Sequence, residues 1–157
     1  MARLRVASLA APAVAIAAVA GGCGSGKEQV GAAELKQKAD AICREEQGRF
    51  ERIQAHPPPN ASIAADQTKE LIGVSEAASS DLRDLEPPEA LGDAYDAYLE
   101  ARDRVVDQMK RGREAAGQRD AAGYAAAQTA VAKSAAERRR LAAALGLHLC
   151  GENPRSG

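Results

Sequence analysis

Four stretches of the chain repeat apolar residues in alternating steps of three and four, the spacing that lines one face of an α-helix. The first carries Leu35, Ala39, Ile42, Glu46, Phe50 and Ile53, and the second Ile63, Gln67, Leu71, Val74, Ala78, Leu82 and Leu85. In the third, Leu91, Tyr95, Tyr98, Arg102, Val105, Met109, Gly112 and Ala116 form the stripe, widened by Leu99 and Val106. The fourth is the thinnest, with Tyr124, Val131, Ala135, Arg138, Ala142 and Leu145. Its alanines predict close approach to a neighbouring helix.

Proline, glycine and capping residues punctuate these stretches. The first helix is expected from about Ala32 to Ala55, ending before Pro57-Pro58-Pro59, where the rings forbid continuation. Asn60 or Ser62 is placed to cap the second, which runs to about Leu85 before Glu86-Pro87-Pro88. Pro88 suits the first turn of the third, expected from about Glu89 to Ala116. Gly117 then marks a stop and Asp120 a new N-cap, and the fourth helix reaches Leu145 with Gly146 just beyond it. Long helices with short connections become antiparallel neighbours, so the expected fold is all-α, an antiparallel up-down-up-down four-helix bundle over residues 32–151. Residues 152–157 read as a disordered tail.

Composition supports helix and narrows the function. Nearly a quarter of the 157 residues are Ala, whereas there are one Phe, three Tyr and no Trp. The hydrophobic class, 45% of the chain, is therefore mostly methyl groups. Lys and Arg number 21 against 22 Asp and Glu, a net charge of −1 that offers no electrostatic footprint for nucleic acid.

The N-terminus reads as an address. Arg3 and Arg5 precede an uncharged, almost wholly apolar run from Val6 to Ala20, followed by Gly21, Gly22 and Cys23. This is the three-part layout of a secretory signal peptide, residues 1–22, removed by cleavage. At about 1.5 Å per residue the run spans roughly 22 Å, short of the roughly 30 Å hydrocarbon core. Val19-Ala20-Gly21-Gly22-Cys23 resembles the lipobox of bacterial lipoproteins, although Ala20 stands where those proteins usually carry Leu. The resemblance implies cleavage before Cys23, diacylation of its thiol, and a lipid anchor in the extracytoplasmic face of the cell membrane. Two acyl chains supply the two signals that stable anchoring needs. A secreted protein with a spare thiol is the alternative. Residues 23–31 then form a lipidated flexible tether.

The mature part is similar to small, Ala-rich helical lipoproteins of high-GC Gram-positive bacteria. The likeness rests on Ala39-Asp40-Ala41-Ile42-Cys43-Arg44-Glu45, Leu85-Glu86-Pro87-Pro88-Glu89 and Leu145-Gly146-Leu147-His148-Leu149-Cys150-Gly151. These motifs are structural and imply no activity. With Cys23 assigned to lipid, Cys43 and Cys150 remain as a pair on the oxidising side, where disulfides persist. The tail after the fourth helix would have to fold back to close it; a buried free thiol at Cys43 is the alternative.

Few residues suggest chemistry. Gly21-Gly22-Cys23-Gly24-Ser25-Gly26-Lys27 imitates a P-loop, but Glu28 replaces the hydroxyl that would hold Mg²⁺, and signal cleavage would cut the motif. His56 and His148 lack Glu three residues before them and fall at opposite ends of the expected bundle, so neither a metal site nor a haem is expected. Ser75, Ser79, Ser80 and Ser134 have no nucleophile elbow or His partner. One constellation stands out: Glu46, Arg102 and Arg138 each interrupt an apolar stripe, and an antiparallel bundle would bring Glu46 and Arg102 to one level about 21 Å from its end. Three readings stay open, namely a buried ion pair fixing register, snorkelling surface charges, and a ligand pocket with Arg102 as anchor and Tyr98 beside it. The expected function is accordingly a membrane-anchored, non-enzymatic binding or interaction module for an envelope protein or small ligand, without cofactor. The rival is an exported enzyme or a cofactor- or metal-binding protein.

Overall fold

The computed structural model describes residues 30–152. The expected signal peptide, the P-loop-like run, Cys23 and the expected tail after residue 152 lie outside the described residues. Within them, four α-helices pack as a bundle: α1 is Ala32–Gln54, α2 Ala61–Arg83, α3 Gly92–Gly117 and α4 Ala121–Leu145, with short 3₁₀ turns at Glu89–Leu91 and Leu149–Gly151. None of these helices is long and apolar enough to cross a membrane.

The helix boundaries follow from local chemistry. The Asn60 carboxamide oxygen accepts a hydrogen bond from the Ile63 N–H at 3.0 Å, and Asp120 Oδ1 accepts from the Gly123 N–H at 2.9 Å. Each satisfies a donor that the first turn leaves without an intrahelical acceptor. Gly146 adopts a left-handed φ of 72°. Its N–H reaches the Ala143 carbonyl at 3.0 Å and that of Leu147 the Ala142 carbonyl at 2.9 Å, the pair of reversed bonds that closes a helix on glycine.

The start of α3 differs from expectation. Residues 89–91 form a 3₁₀ turn, and α-helix begins only at Gly92. Pro87 and Pro88 donate no N–H, Pro88 is extended with ψ 146°, and the Leu91 N–H closes a tight bond to the Pro88 carbonyl at 2.8 Å. The stop after α3 also shifts: Gly117 is still helical, and the left-handed residue is Arg119, with φ 59°.

The large side chains gather in one half of the bundle. Leu35, Leu82, Tyr95, Tyr98 and Leu147 are essentially inaccessible, packed with Val30, Ala39, Cys43, Leu99, Ala142, Leu145 and Cys150. Burial of each large apolar side chain contributes about 1.5–3 kcal/mol. The Tyr95 hydroxyl donates to the Leu82 carbonyl at 2.8 Å, so its polar atom is satisfied where water is excluded. Val30, assigned to the tether by sequence, belongs to this core: it is buried, and its N–H donates to the Glu86 carbonyl at 3.0 Å.

The other half is lean. Outside the main cluster the buried apolar residues are Ile72, Val74, Ala78, Ala101, Val106, Ala115 and Ala127, most of them small. There α3 and α4 approach so closely that a Cβ on Gly112 would lie 3.4 Å from that of Ala127. Ile63 and Tyr124, stripe positions expected to be buried, are 41% and 45% exposed, and Ala116 is exposed as well. The alanines of α4 leave nothing long enough to cover them.

The tail returns to α1. A disulfide joins Cys43 and Cys150 across 107 residues of sequence. Beside it Asp40 Oδ1 accepts the Leu149 N–H at 2.9 Å, and the Gln47 carboxamide donates to the Leu149 carbonyl at 2.7 Å. The 3₁₀ turn is thereby fixed against both α1 and α4.

Candidate functional site

The dense half ends in a layer of charge. Glu46 on α1 and Arg102 on α3 are 8% and 2% exposed, and one guanidinium nitrogen of Arg102 donates to both Glu46 carboxylate oxygens at 2.9 Å. The remaining polar atoms are matched in turn. The Ser75 hydroxyl donates to Glu46 at 3.2 Å, Arg102 Nε to the Ser79 hydroxyl at 3.2 Å, and Arg102 Nη1 to the Tyr98 hydroxyl at 3.3 Å. Tyr98 also lies 3.8 Å from Cys43 Sγ, which links this layer to the disulfide. Ser75 and Ser79 were read as ordinary helical serines; their i, i+4 spacing beside the α2 stripe was the available sign that they share one inward face.

Burial opposes charge on Arg102, yet Glu46 and Tyr98 together outweigh it and hold the guanidinium pKa above its ordinary value. Arg138 on α4 lacks that compensation. Burial first, and the positive charge of Arg102 second, push its pKa down, with Glu46 opposing. Its Nε is buried and meets no hydrogen-bond partner among the described residues. Arg138 borders a cavity of about 20 Å³ with Glu46, Gln47, Phe50 and Leu149, the size of one water molecule. The layer thus sets the buried Arg102 and the half-buried Arg138 around the Glu46 carboxylate, with the exposed Glu152 also bordering the cavity, in a space too small for an organic ligand. Of the readings open for Glu46 and Arg102, this geometry is that of an ion pair.

Burial also raises the pKa of both tyrosines that pack here: for Tyr95 the charge of Tyr98 adds to it, and for Tyr98 the guanidinium of Arg102 opposes it. Below the ordinary tyrosine value of 10.0 both states keep their phenolic protons, so this contribution to stability is fully present. Above it the unfolded chain loses protons that the folded chain retains, and stability falls as pH rises toward the folded pKa. We expect the urea midpoint to drop above about pH 10, with phenolate absorbance of these two residues appearing only on unfolding. Ionisation of both in the folded protein near pH 10 would contradict their burial.

A ligand-sized space lies in the lean half. A cleft of about 680 Å³ opens between α2, α3 and α4, with Gln54 of α1 at its edge. Leu71, Met109, Val131, Tyr124 and several alanines give it an apolar wall; Thr68, Gln128 and Gln54 add neutral polar groups. Arg113 is the one charged residue lining it, and forms no ion pair among the described residues. Met109 and Arg113 were not singled out as ligand contacts, because a stripe residue looks alike whether its neighbour fills the space or leaves it open.

The remaining candidates stay apart. His56 lies after α1, where its carbonyl accepts from Gln67 at 3.1 Å, and His148 precedes the last 3₁₀ turn. Among the described residues no three His, Cys, Asp or Glu side chains are grouped to hold a metal ion. No protein-family model, curated protein or solved structure matches the chain.

Proposed function

We propose that the chain is an exported lipoprotein, cut before Cys23 and diacylated there, whose bundle serves as a non-enzymatic binding module on the extracytoplasmic face of the cell membrane. The observation that carries the binding reading is the open, mostly apolar cleft between α2, α3 and α4. Its volume falls within the range of small-molecule sites, about 300–1,000 Å³, and its few polar groups suit orientation of a ligand better than bond-breaking. The lipobox-like start and the paired Cys43 and Cys150 support export.

In this reading the helices run antiparallel, up-down-up-down. Contacts that support it pair rising numbers on one helix with falling numbers on the next: Ile53 with Gln67 and Glu46 with Ser75, then Ser79 with Arg102 and Glu76 with Lys110. Arg104 with Glu137 and Gly112 with Ala127 continue the series. The tether then leaves from the dense half and the cleft faces away from the bilayer.

The test is to fractionate cells carrying the full chain and analyse the extracted protein by native mass spectrometry. Wild type is expected in the membrane fraction with a bound small molecule. Cys23→Ala should leave the membrane or stay uncut, and Ala64→Phe, which fills the cleft wall, should lose the bound molecule. Membrane retention of processed Cys23→Ala would overturn the anchor, and an unchanged adduct on Ala64→Phe would overturn the cleft.

A further inference from the structure

Resting on the cleft as the binding site, we infer that its ligand is a free long-chain fatty acid anion, with the carboxylate on Arg113 and the alkyl chain along Leu71, Met109 and Val131. Three observations converge on this chemistry. The wall is apolar over three helices, which demands an apolar body. Among the described residues the only charge on it is one guanidinium without an acidic partner, and a planar guanidinium matches a monoanionic carboxylate with two parallel hydrogen bonds. Tyr124, one of the two large hydrophobic side chains exposed among the described residues, lines this cleft and gives it an apolar edge open to solvent.

Charge in the surroundings sharpens the assignment. Beyond Arg113 a second hollow between α2 and α3 carries charges of both signs, Asp66, Lys69, Glu76, Lys110 and Glu114, so three carboxylates there oppose an incoming anion. Lys110 is already paired with Glu76 at 2.6 Å. Arg113 stands at the border of the two spaces, where a carboxylate head meets water while its chain lies inside. A cationic amphiphile would meet Arg113 with like charge, and a neutral one would leave it unused.

Photolabelling of the full chain in intact cells tests the inference. A fatty acid bearing a diazirine in its chain is compared with the fatty alcohol of the same length and label, and modified peptides are mapped by mass spectrometry. Label from the acid is expected within residues 61–71, 109–117 and 124–131, at a level about tenfold above the alcohol at subsaturating probe. Arg113→Gln should remove that preference without changing the labelling by the alcohol. Equal labelling by acid and alcohol, unaffected by Arg113→Gln, overturns the fatty acid assignment and leaves the cleft as a binding site for another apolar molecule. Absence of label from those segments with either probe overturns both.

Discussion

Glu46→Gln is expected to destabilise the bundle by about 3–5 kcal/mol, more than removal of either arginine around it. The substitution keeps the size of the side chain and a group able to meet Ser75, but it deletes the buried carboxylate that faces Arg102 and attracts Arg138. Arg102 would then be buried without its counter-ion, with the positive charge of Arg138 nearby. Arg102→Met should cost less, because Arg138 already feels Glu46 and can serve as its remaining partner. Combining Glu46→Gln with Arg102→Met should recover part of the loss, with a coupling above about 1 kcal/mol, and adding Arg138→Met should recover more. Urea denaturation of wild type and the four variants measures the cycle. Losses below about 0.5 kcal/mol for both single substitutions would mean that the charges behave as exposed ones.

Loss of the disulfide should have a comparable effect. Replacing Cys43 and Cys150 together by Ala frees a loop whose ends lie 107 residues apart. The chain-entropy model assigns such a loop up to about 4.7 kcal/mol. The return of the tail contributes further, because Asp40 and Gln47 hold Leu149 through hydrogen bonds that depend on the turn staying in place. A strong reductant should lower the unfolding midpoint of wild type toward that of the double variant and leave the variant unchanged. A midpoint indifferent to reductant would show that the bond adds nothing.

Features fixed within a few residues were legible in the sequence. Pro57-Pro58-Pro59, Asn60, Asp120 and Gly146 act through their own ring, side chain or φ, and the helices end or begin beside them. The pairing of Cys43 with Cys150 was legible because only two cysteines remained once Cys23 was set aside. Glu46 and Arg102 were legible as charges on apolar stripes, though not which of the three meanings applied, since burial depends on helices distant in sequence. Arg138 shows the limit more sharply. It occupied a stripe in the same way, yet its place beside Arg102 follows from the packing of α3 against α4. The cleft was hidden for a related reason: periodicity tells which face of α4 turns inward, but alanines at those positions neither reach across nor reveal that they fail to. The late start of α3 came from the missing N–H groups of Pro87 and Pro88, which favour a tight first turn over the α-helix expected from Glu89.

The covalent ring also decides how the molecule bears load. Tension applied to a chain held at its N-terminus enters through α1 as far as Cys43 and crosses the disulfide to Cys150, bypassing everything between. A span of 107 residues, roughly 370 Å of extended backbone at about 3.5 Å each, is withdrawn from the path of the force. Pulling can fray the first three turns of α1 and the residues after Cys150. While the bond is intact such a pull is not carried by α2, α3 or α4, so the cleft would keep its shape under it.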